Sequence, residues 1–526
     1  MAEKFDVVVA GGGHNSLVSA AYLAKAGLRV LVLEAREVIG GNTVTEELTV
    51  PGFWHDSCSS AHTLIQSSPT IRHNELGLDR YGLRYLHPDP VVTMPFADGT
   101  SLTMWRDMER TVAELARFSD RDARAYRQMT AEYDGIKKVF GQYRYTPVGY
   151  GPSLDEMLLA QPNGALWLRR IKQPALEIIN QMFEDERVRT FMAWLAFMTI
   201  QPLDSAGTGR LAYALANGRQ YFSWATPVGG SGSLPKALVA LIEDHGGVVL
   251  TGQRVTELVL ENGRCAGVRT ANGETYRAER AVLSTIHVKH LVEMAPREAW
   301  GDLFVAGVAQ WEPGFTLFVG HYALSESPLY LVGEERMPVV AAGIAGSMDN
   351  LLRLHSDMRR GRIHQDDPVL LLVCSSVVDE TRTPPGGHTY KILSFFPYGL
   401  ADGGPGRWDE IKQEVAQRNL EHVRKYVPNL RDGVILGTAV ESPVDLERRN
   451  AHNWRGTCHG GSMLPAQSGA MRPVPGWASH RMPIPGLYQT GATTHPGGSV
   501  SAGPGRNAAW VLLDDLGMKT IGVNYG

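Results

Sequence analysis

The chain has 526 residues, 43% hydrophobic and 8% aromatic, which suffices for large cores in more than one domain and excludes a mostly disordered protein. A formal net charge of −4, with no basic patch interleaved with aromatics, excludes the electrostatic footprint of a nucleic-acid binder. The four cysteines, Cys58, Cys265, Cys374 and Cys458, form no C-x-x-C pair, so neither the dithiol of a disulfide reductase nor a metal site is expected.

In chain order, residues 5–10 predict a fully buried strand that begins almost at once, leaving no cleavable apolar leader. Gly11-Gly12-Gly13-His14-Asn15-Ser16 follow, then helix-period apolar residues over 17–24 that stop at Gly27, and a second strand over 29–34. This is the order of a nucleotide-binding unit. Gly11 permits the tight turn, Gly13 lets the backbone approach a diphosphate, and the helix start at His14, Asn15 and Ser16 aims free N–H groups and a positive dipole end at it. Ser16 stands where the fingerprint usually has a third glycine. Glu34, with Ala35 beside it, is placed to accept hydrogen bonds from ribose hydroxyls. Arg36 is a candidate to neutralise the diphosphate or shield the adenine, and Gly40-Gly41, with Asn42 and Thr43, lets the chain double back beneath it.

The stretch 85–222 reads as largely helical, with apolar residues at helical spacing over 107–118, 120–140 and 175–200. Its most apolar run, 191–200, is too short to cross a bilayer, which takes about 20 residues. Phe191, Trp194 and Phe197 within that run are candidates for a substrate cavity, against the plainer role of core packing. Next, 227–285 predicts a helix with Leu234, Ala237, Leu238, Leu241 and Ile242 on one face, Ser233 as N-cap and Gly246-Gly247 as its stop. Short β-runs over 248–250, 255–260, 264–270 and 274–278, divided by Asn262-Gly263 and Asn272-Gly273, read as hairpins before a return to the first sheet at 281–284. Over 290–470, strands at 315–322, 369–378 and 390–396 and a charged helix at 408–426 suggest a substrate-binding sheet with helices on one side.

At the far end, Gly491-Ala492-Thr493-Thr494-His495-Pro496-Gly497-Gly498-Ser499-Val500 runs into a final helix. A second glycine-rich helix start suggests one long ligand gripped at two places, and FAD, held non-covalently, is the expected cofactor. A helix beginning near Val500 would set N–H groups against the pyrimidine side of the flavin and favour its anionic reduced form.

The run Glu34-x-Arg36-x-x-x-Gly40-Gly41 resembles the flavin-binding segment of amine oxidases and phytoene desaturases. With Arg472-Pro473-Val474-Pro475-Gly476, Pro483-Ile484-Pro485-Gly486-Leu487-Tyr488 and Gly505-Arg506-Asn507-Ala508-Ala509, the chain is similar to the phytoene desaturase-like flavoproteins, carotenoid ketolase relatives included. The resemblance is dense at both termini, moderate over 225–290 and sparse between. It implies a discontinuous Rossmann-type α/β FAD-binding domain of the glutathione reductase/amine oxidase type over 1–84, 223–289 and 471–526. An α+β substrate-binding domain with a mixed sheet would take 85–222 and 290–470. It further implies Val255 at the adenine edge, Gly491, Ala492, Gly498, Ser499 and Val500 at the flavin, and His55 and His495 near the ring or its ribityl chain, two candidate catalytic bases. Asn42 departs from the arginine that many relatives carry after the glycine pair. The expected activity is an FAD-dependent oxidoreductase of dehydrogenase or desaturase type. It would take hydride from a largely apolar, polyene or carotenoid-like substrate, with oxygen or a quinone as acceptor. Two other readings stand beside it: an amine-oxidase-like or other small-molecule flavin oxidase, and a flavin-retaining interaction or assembly module. The expected location is cytoplasmic, with peripheral membrane contact and oligomeric state both open.

Overall fold

In the computed structural model, which describes residues 4–364 and 366–519, β1 (Phe5–Ala10) is almost wholly buried. It has a parallel strand on either side: Val9 lies opposite Val32 of β2 (Val30–Leu33) and opposite Leu283 of the strand Thr275–Ser284. Strand alternation sorts its side chains into two cores. Val7 and Val9 join Leu17 and Leu23 of the helix α1 (His14–Lys25), while Val8 and Ala10 join Trp300 and Phe304 on the other face. Both faces being covered explains why β1 and β2 read as continuous apolar runs. Val248–Leu250 and Leu487–Gln489 extend the parallel ladder, and the hairpin strands Val255–Glu261 and Arg264–Thr270 complete seven strands.

The carboxy-terminal helix Gly503–Asp515 packs closely on α1. A Cβ at Gly505 would collide with the Asn15 carbonyl, and the Ser19 hydroxyl donates to the Gly505 carbonyl at 2.7 Å. The two ends of the chain therefore meet through a close helix contact.

A second seven-stranded sheet runs in the order Ile435–Glu441, Phe318–Leu324, His388–Ser394, Leu370–Val373, Ala341–Ile344, Val92–Pro95 and Ser101–Met104. It is antiparallel except where Ala342 lies opposite Thr93. Leu370, Leu372, Tyr390 and Ile392 point into a core that Leu420 and Val423 of the helix Trp408–Arg424 complete. The alternate positions, Leu371, Val373, Lys391 and Leu393, line a cavity on the opposite face.

Several elements differ from the sequence expectation. The hairpin Val92–Pro95/Ser101–Met104 interrupts the stretch read as helical, its turn carrying the Asp98-Gly99 signal. The expected helix over 175–200 is two helices, Ala175–Met182 and Glu186–Phe197. The break forms because Asp122 accepts from the Glu184 and Asp185 amides at 2.9 Å each, and Asp185 caps the second helix. Ser233 is not a cap; its hydroxyl donates to the Val228 carbonyl at 2.6 Å, and the helix Ser233–Asp244 starts from Gly232. The final helix begins at Gly503 rather than near Val500. Among the described residues no helix is long and apolar enough to cross a membrane.

Candidate functional site

A cavity of about 1330 Å³ opens where the parallel strands of the first sheet end. Its wall includes Gly11 after β1, Glu34 after β2, Thr285 after Thr275–Ser284 and Gly491 after Leu487–Gln489. Ligands of open α/β sheets bind at this carboxyl edge.

The first turn is built residue by residue for a close-approaching anion. Gly11 has φ +100°, and a Cβ there would stand 2.5 Å from the Thr285 methyl. Its amide donates to the Leu33 carbonyl at 2.7 Å, which locks β1 to β2 at the turn. Gly13 has ordinary extended backbone, φ −71°, and a Cβ there would meet nothing within 4 Å. It faces open cavity. α1 has no side-chain cap and no acidic residue in its first turn, so its leading N–H groups remain for a ligand. Ser16, at the third-glycine position, does not line the cavity; its hydroxyl bonds the Gly11 and Gly13 carbonyls at 2.6 and 2.8 Å and ties the turn down.

Glu34 is oriented before any ligand arrives. One carboxylate oxygen accepts from the Gly12 amide at 2.7 Å and the other from the Arg36 amide at 2.9 Å. Arg36 binds Glu46 at 2.8 Å, while its buried Nη1 has no hydrogen-bond partner among the described residues. Asn15 Oδ1 is likewise buried and unpartnered. Gly40 bonds the Gly12 carbonyl at 2.9 Å, bringing Gly41 beneath Gly13, where a Cβ would stand 3.2 Å from the Gly13 Cα. Gly40 and Thr43 stay off the wall; Thr43 closes the turn through its 2.7 Å bond to the Gly40 carbonyl. Asn42 reaches the wall and pairs with Asn450 and Asn453, with amide contacts of 3.1 and 2.7 Å. Uncharged, it ties the loop after Gly40-Gly41 to the loop at 450–453.

Ala35, Val255, Gly491, Ala492, Gly498, Ser499 and Val500 all line the same cavity. His14 joins the two glycine-rich segments, its Nε2 3.2 Å from the Ser499 carbonyl. Burial lowers its pKa to about 4 against the opposing pull of that carbonyl, so the ring is neutral and donates from Nε2. The open Gly13 cradle, the uncapped α1, the oriented Glu34 and the unpartnered Arg36 nitrogen fit the adenosine diphosphate half of a dinucleotide.

His55 and His495 lie outside the cavity lining. His495 has Nε2 3.0 Å from the Tyr143 carbonyl and its ring edge-on to Tyr143. His55 meets the Thr49 hydroxyl at 2.8 Å and packs edge-on against His321. Burial lowers the pKa of His495 to about 4 and that of His55 to about 2, so both rings are neutral. Phe191, Trp194 and Phe197 also lie off the wall, buried in the large core, with Trp194 Nε1 donating to the Leu370 carbonyl at 3.0 Å. The same helix reaches the cavity only past its end, at Met198.

Sequence reasoning missed Lys391, Arg219 and the meeting of Cys58 with Cys458, all on the wall. Lys391 carried a signal, a lone lysine in an apolar β-run; its Nζ donates to the Asp56 and Cys58 carbonyls at 3.1 and 2.7 Å. The two thiols act on one another, which shifts Cys58 down and Cys458 up. Nothing in their spacing announces this.

A family model described as flavin containing amine oxidoreductase matches residues 17–310. Several relatives match over nearly their full length. The rat pyridine nucleotide-disulfide oxidoreductase domain-containing protein 2 is 28% identical, covering 98% of this chain and 94% of its own. A limonene dehydrogenase component of Castellaniella defragrans is 27% identical, with 98% and 96% covered. The lycopene-forming phytoene desaturase of Pseudescherichia vulneris is 24% identical, with 97% and 99% covered. Among solved structures, an oxidoreductase from Methanosarcina mazei shares the fold with a TM-score of 0.62 at 16% identity, covering 97% of this chain and 99% of its own.

Proposed function

The chain belongs to the flavin containing amine oxidoreductase family and is an FAD-dependent oxidoreductase resembling the phytoene desaturases, and on that premise we propose that it takes hydride from a largely apolar substrate of polyene type. In this reading the segments 1–84, 223–289 and 471–526 hold FAD, and 85–222 and 290–470 select the substrate. Bound FAD supplies the hydride-accepting atom. The protein's part is to grip it at the Gly13 turn and the 498–500 turn, and to exclude water from the rest of the cavity.

The observation that carries the reading is the remaining wall. Leu371, Val373 and Leu393 from the second sheet, with Phe140, Leu211 and Leu215 from helices, continue the same cavity in apolar side chains. Its volume exceeds the roughly 300–1,000 Å³ of ordinary small-ligand sites, which leaves room for a second molecule beside a dinucleotide. Its charge disfavours a protonated amine. Eleven lysine and arginine residues line the cavity against two carboxylates, Glu34 and Glu293; Arg36, Arg448, Arg449 and Lys137 are paired with carboxylates off the wall, and an ammonium group would find few carboxylates facing it. Two of the relatives, the limonene dehydrogenase component and the phytoene desaturase, are named for hydrocarbon substrates.

Anaerobic mixing of the FAD-loaded protein with phytoene or with putrescine tests the proposal through the flavin absorbance. Bleaching by the polyene and none by the diamine is expected; bleaching by the diamine alone would replace this reading with an amine oxidase.

A further inference from the structure

Arg219 is a buried cation on the cavity wall with no counter-charge among the described residues. It lies in the helix Leu211–Phe222 and is only 7% exposed. Its guanidinium bonds the Thr63 hydroxyl and lies 3.7 Å over the Trp224 ring. Burial alone acts on it, lowering its pKa to about 9, with no carboxylate contributing among the described residues. Three other arginines of the wall are paired with carboxylates, and Arg72, Arg210 and Arg254 are more exposed than Arg219. Arg36 and Arg449 meet Glu46, Arg449 also meets Glu441, and Arg448 meets Asp409. The comparably buried Arg472 lies off the wall and donates to the carbonyls of Ala492, Ser462, Gln467 and His459, which accounts for it as a structural clamp. Among the described residues the Arg219 guanidinium donates to the Thr63 hydroxyl alone, and the residue lines the cavity.

A buried charge persists when a partner compensates it. The Thr63 hydroxyl cannot do so: it is neutral, and it is itself donated to the Ser223 carbonyl at 3.2 Å. The Trp224 face holds the guanidinium plane in place, as an anchor requires. We propose that Arg219 binds a carboxylate carried by the otherwise apolar substrate, so that the preferred substrate class is an apolar chain with an anionic end. The proposal rests on the apolar-substrate reading above and adds to it a polar terminus. A planar carboxylate matches the guanidinium fork through two parallel N–H donors, and apolar side chains such as Leu215 lie one helical turn away on the same wall.

Dodecanoate and dodecanol share a chain and differ at the head group, so they separate the two ideas. Each is titrated into the FAD-loaded protein and followed by perturbation of the flavin spectrum, in wild type, Arg219→Gln and Arg219→Lys. The proposal expects dodecanoate to bind at least about tenfold more tightly than dodecanol in wild type, the strength of a charge-assisted contact. In Arg219→Gln the two affinities converge, with dodecanol affinity and flavin content unchanged, and Arg219→Lys keeps part of the preference. Equal affinities in wild type overturn the carboxylate anchor while leaving the apolar reading intact. Flavin lost from Arg219→Gln assigns the arginine to the cofactor and overturns the anchor as well. Binding of neither probe to wild type overturns the apolar reading and the anchor together. Should Arg219→Gln fail to fold, the wild-type ratio and the lysine variant still decide.

Discussion

At the scale of single residues, the glycines of the first turn have separate duties. Gly11 is required by backbone conformation and by the Thr285 methyl. Gly11→Ala should therefore lower unfolding stability by about 1–3 kcal/mol, read from denaturant unfolding of the FAD-free protein. Glu34→Ala removes the acceptor of the Gly12 and Arg36 amides along with any ribose contact. FAD affinity should fall roughly tenfold or more, as a fluorescence titration of apoprotein would show. Histidines on the wall predict a pH dependence. His14, His452 and His459 are each lowered by burial from 6.5 to about 4. The unfolded chain binds more protons than the folded one between those values, so their stability contribution is complete above pH 6.5 and is lost as pH falls toward 4. Each histidine costs about 1.4 kcal/mol per pH unit in that window, so the melting temperature should drop steeply from pH 6.5 to 5. A flat profile there would contradict the neutral buried assignment.

Among the elements, α1 and the helix Gly503–Asp515 act as one unit. Gly505→Ala would force Asn15 away and tilt the amino terminus of α1, so flavin content should fall even though residue 505 does not line the cavity. Unchanged content would uncouple the helix contact from the cofactor. Trp194 belongs to the opposite case. It is fully buried, bonded to the Leu370 carbonyl, and so close to Gly343 that a Cβ there would stand 2.5 Å from its ring. Trp194→Ala should cost about 3–5 kcal/mol of stability and leave flavin-reduction kinetics unaltered in whatever protein remains folded. The first βαβ unit was legible from sequence because its turn, helix stop and acidic end are all local signals. The break at 183–185 was not, because its cause, Asp122, lies on another helix.

At the scale of the whole molecule, the reach of sequence reasoning follows the distance between partners. Two glycine-rich segments at opposite ends pointed to one extended cofactor, and the fold joins them through the contact of His14 with Ser499 and through the helix crossing at Gly505. The substrate side was less legible. Phe191, Trp194 and Phe197 have the composition of a cavity wall, yet strand parity in the second sheet gives that role to Leu371, Val373, Lys391 and Leu393. Parity is decided by which face a distant helix covers, and Trp408–Arg424 covers the other one. The central claim is that one cavity grips FAD at the open cradle beside Gly13. Its most direct test is the flavin released by acid from purified wild type and from Gly13→Val, since φ −71° at this position accepts valine without backbone strain. The account predicts FAD from the wild type and none from Gly13→Val, with the variant unfolding at the same denaturant concentration as FAD-free wild type. Equal flavin occupancy in the two proteins would contradict it.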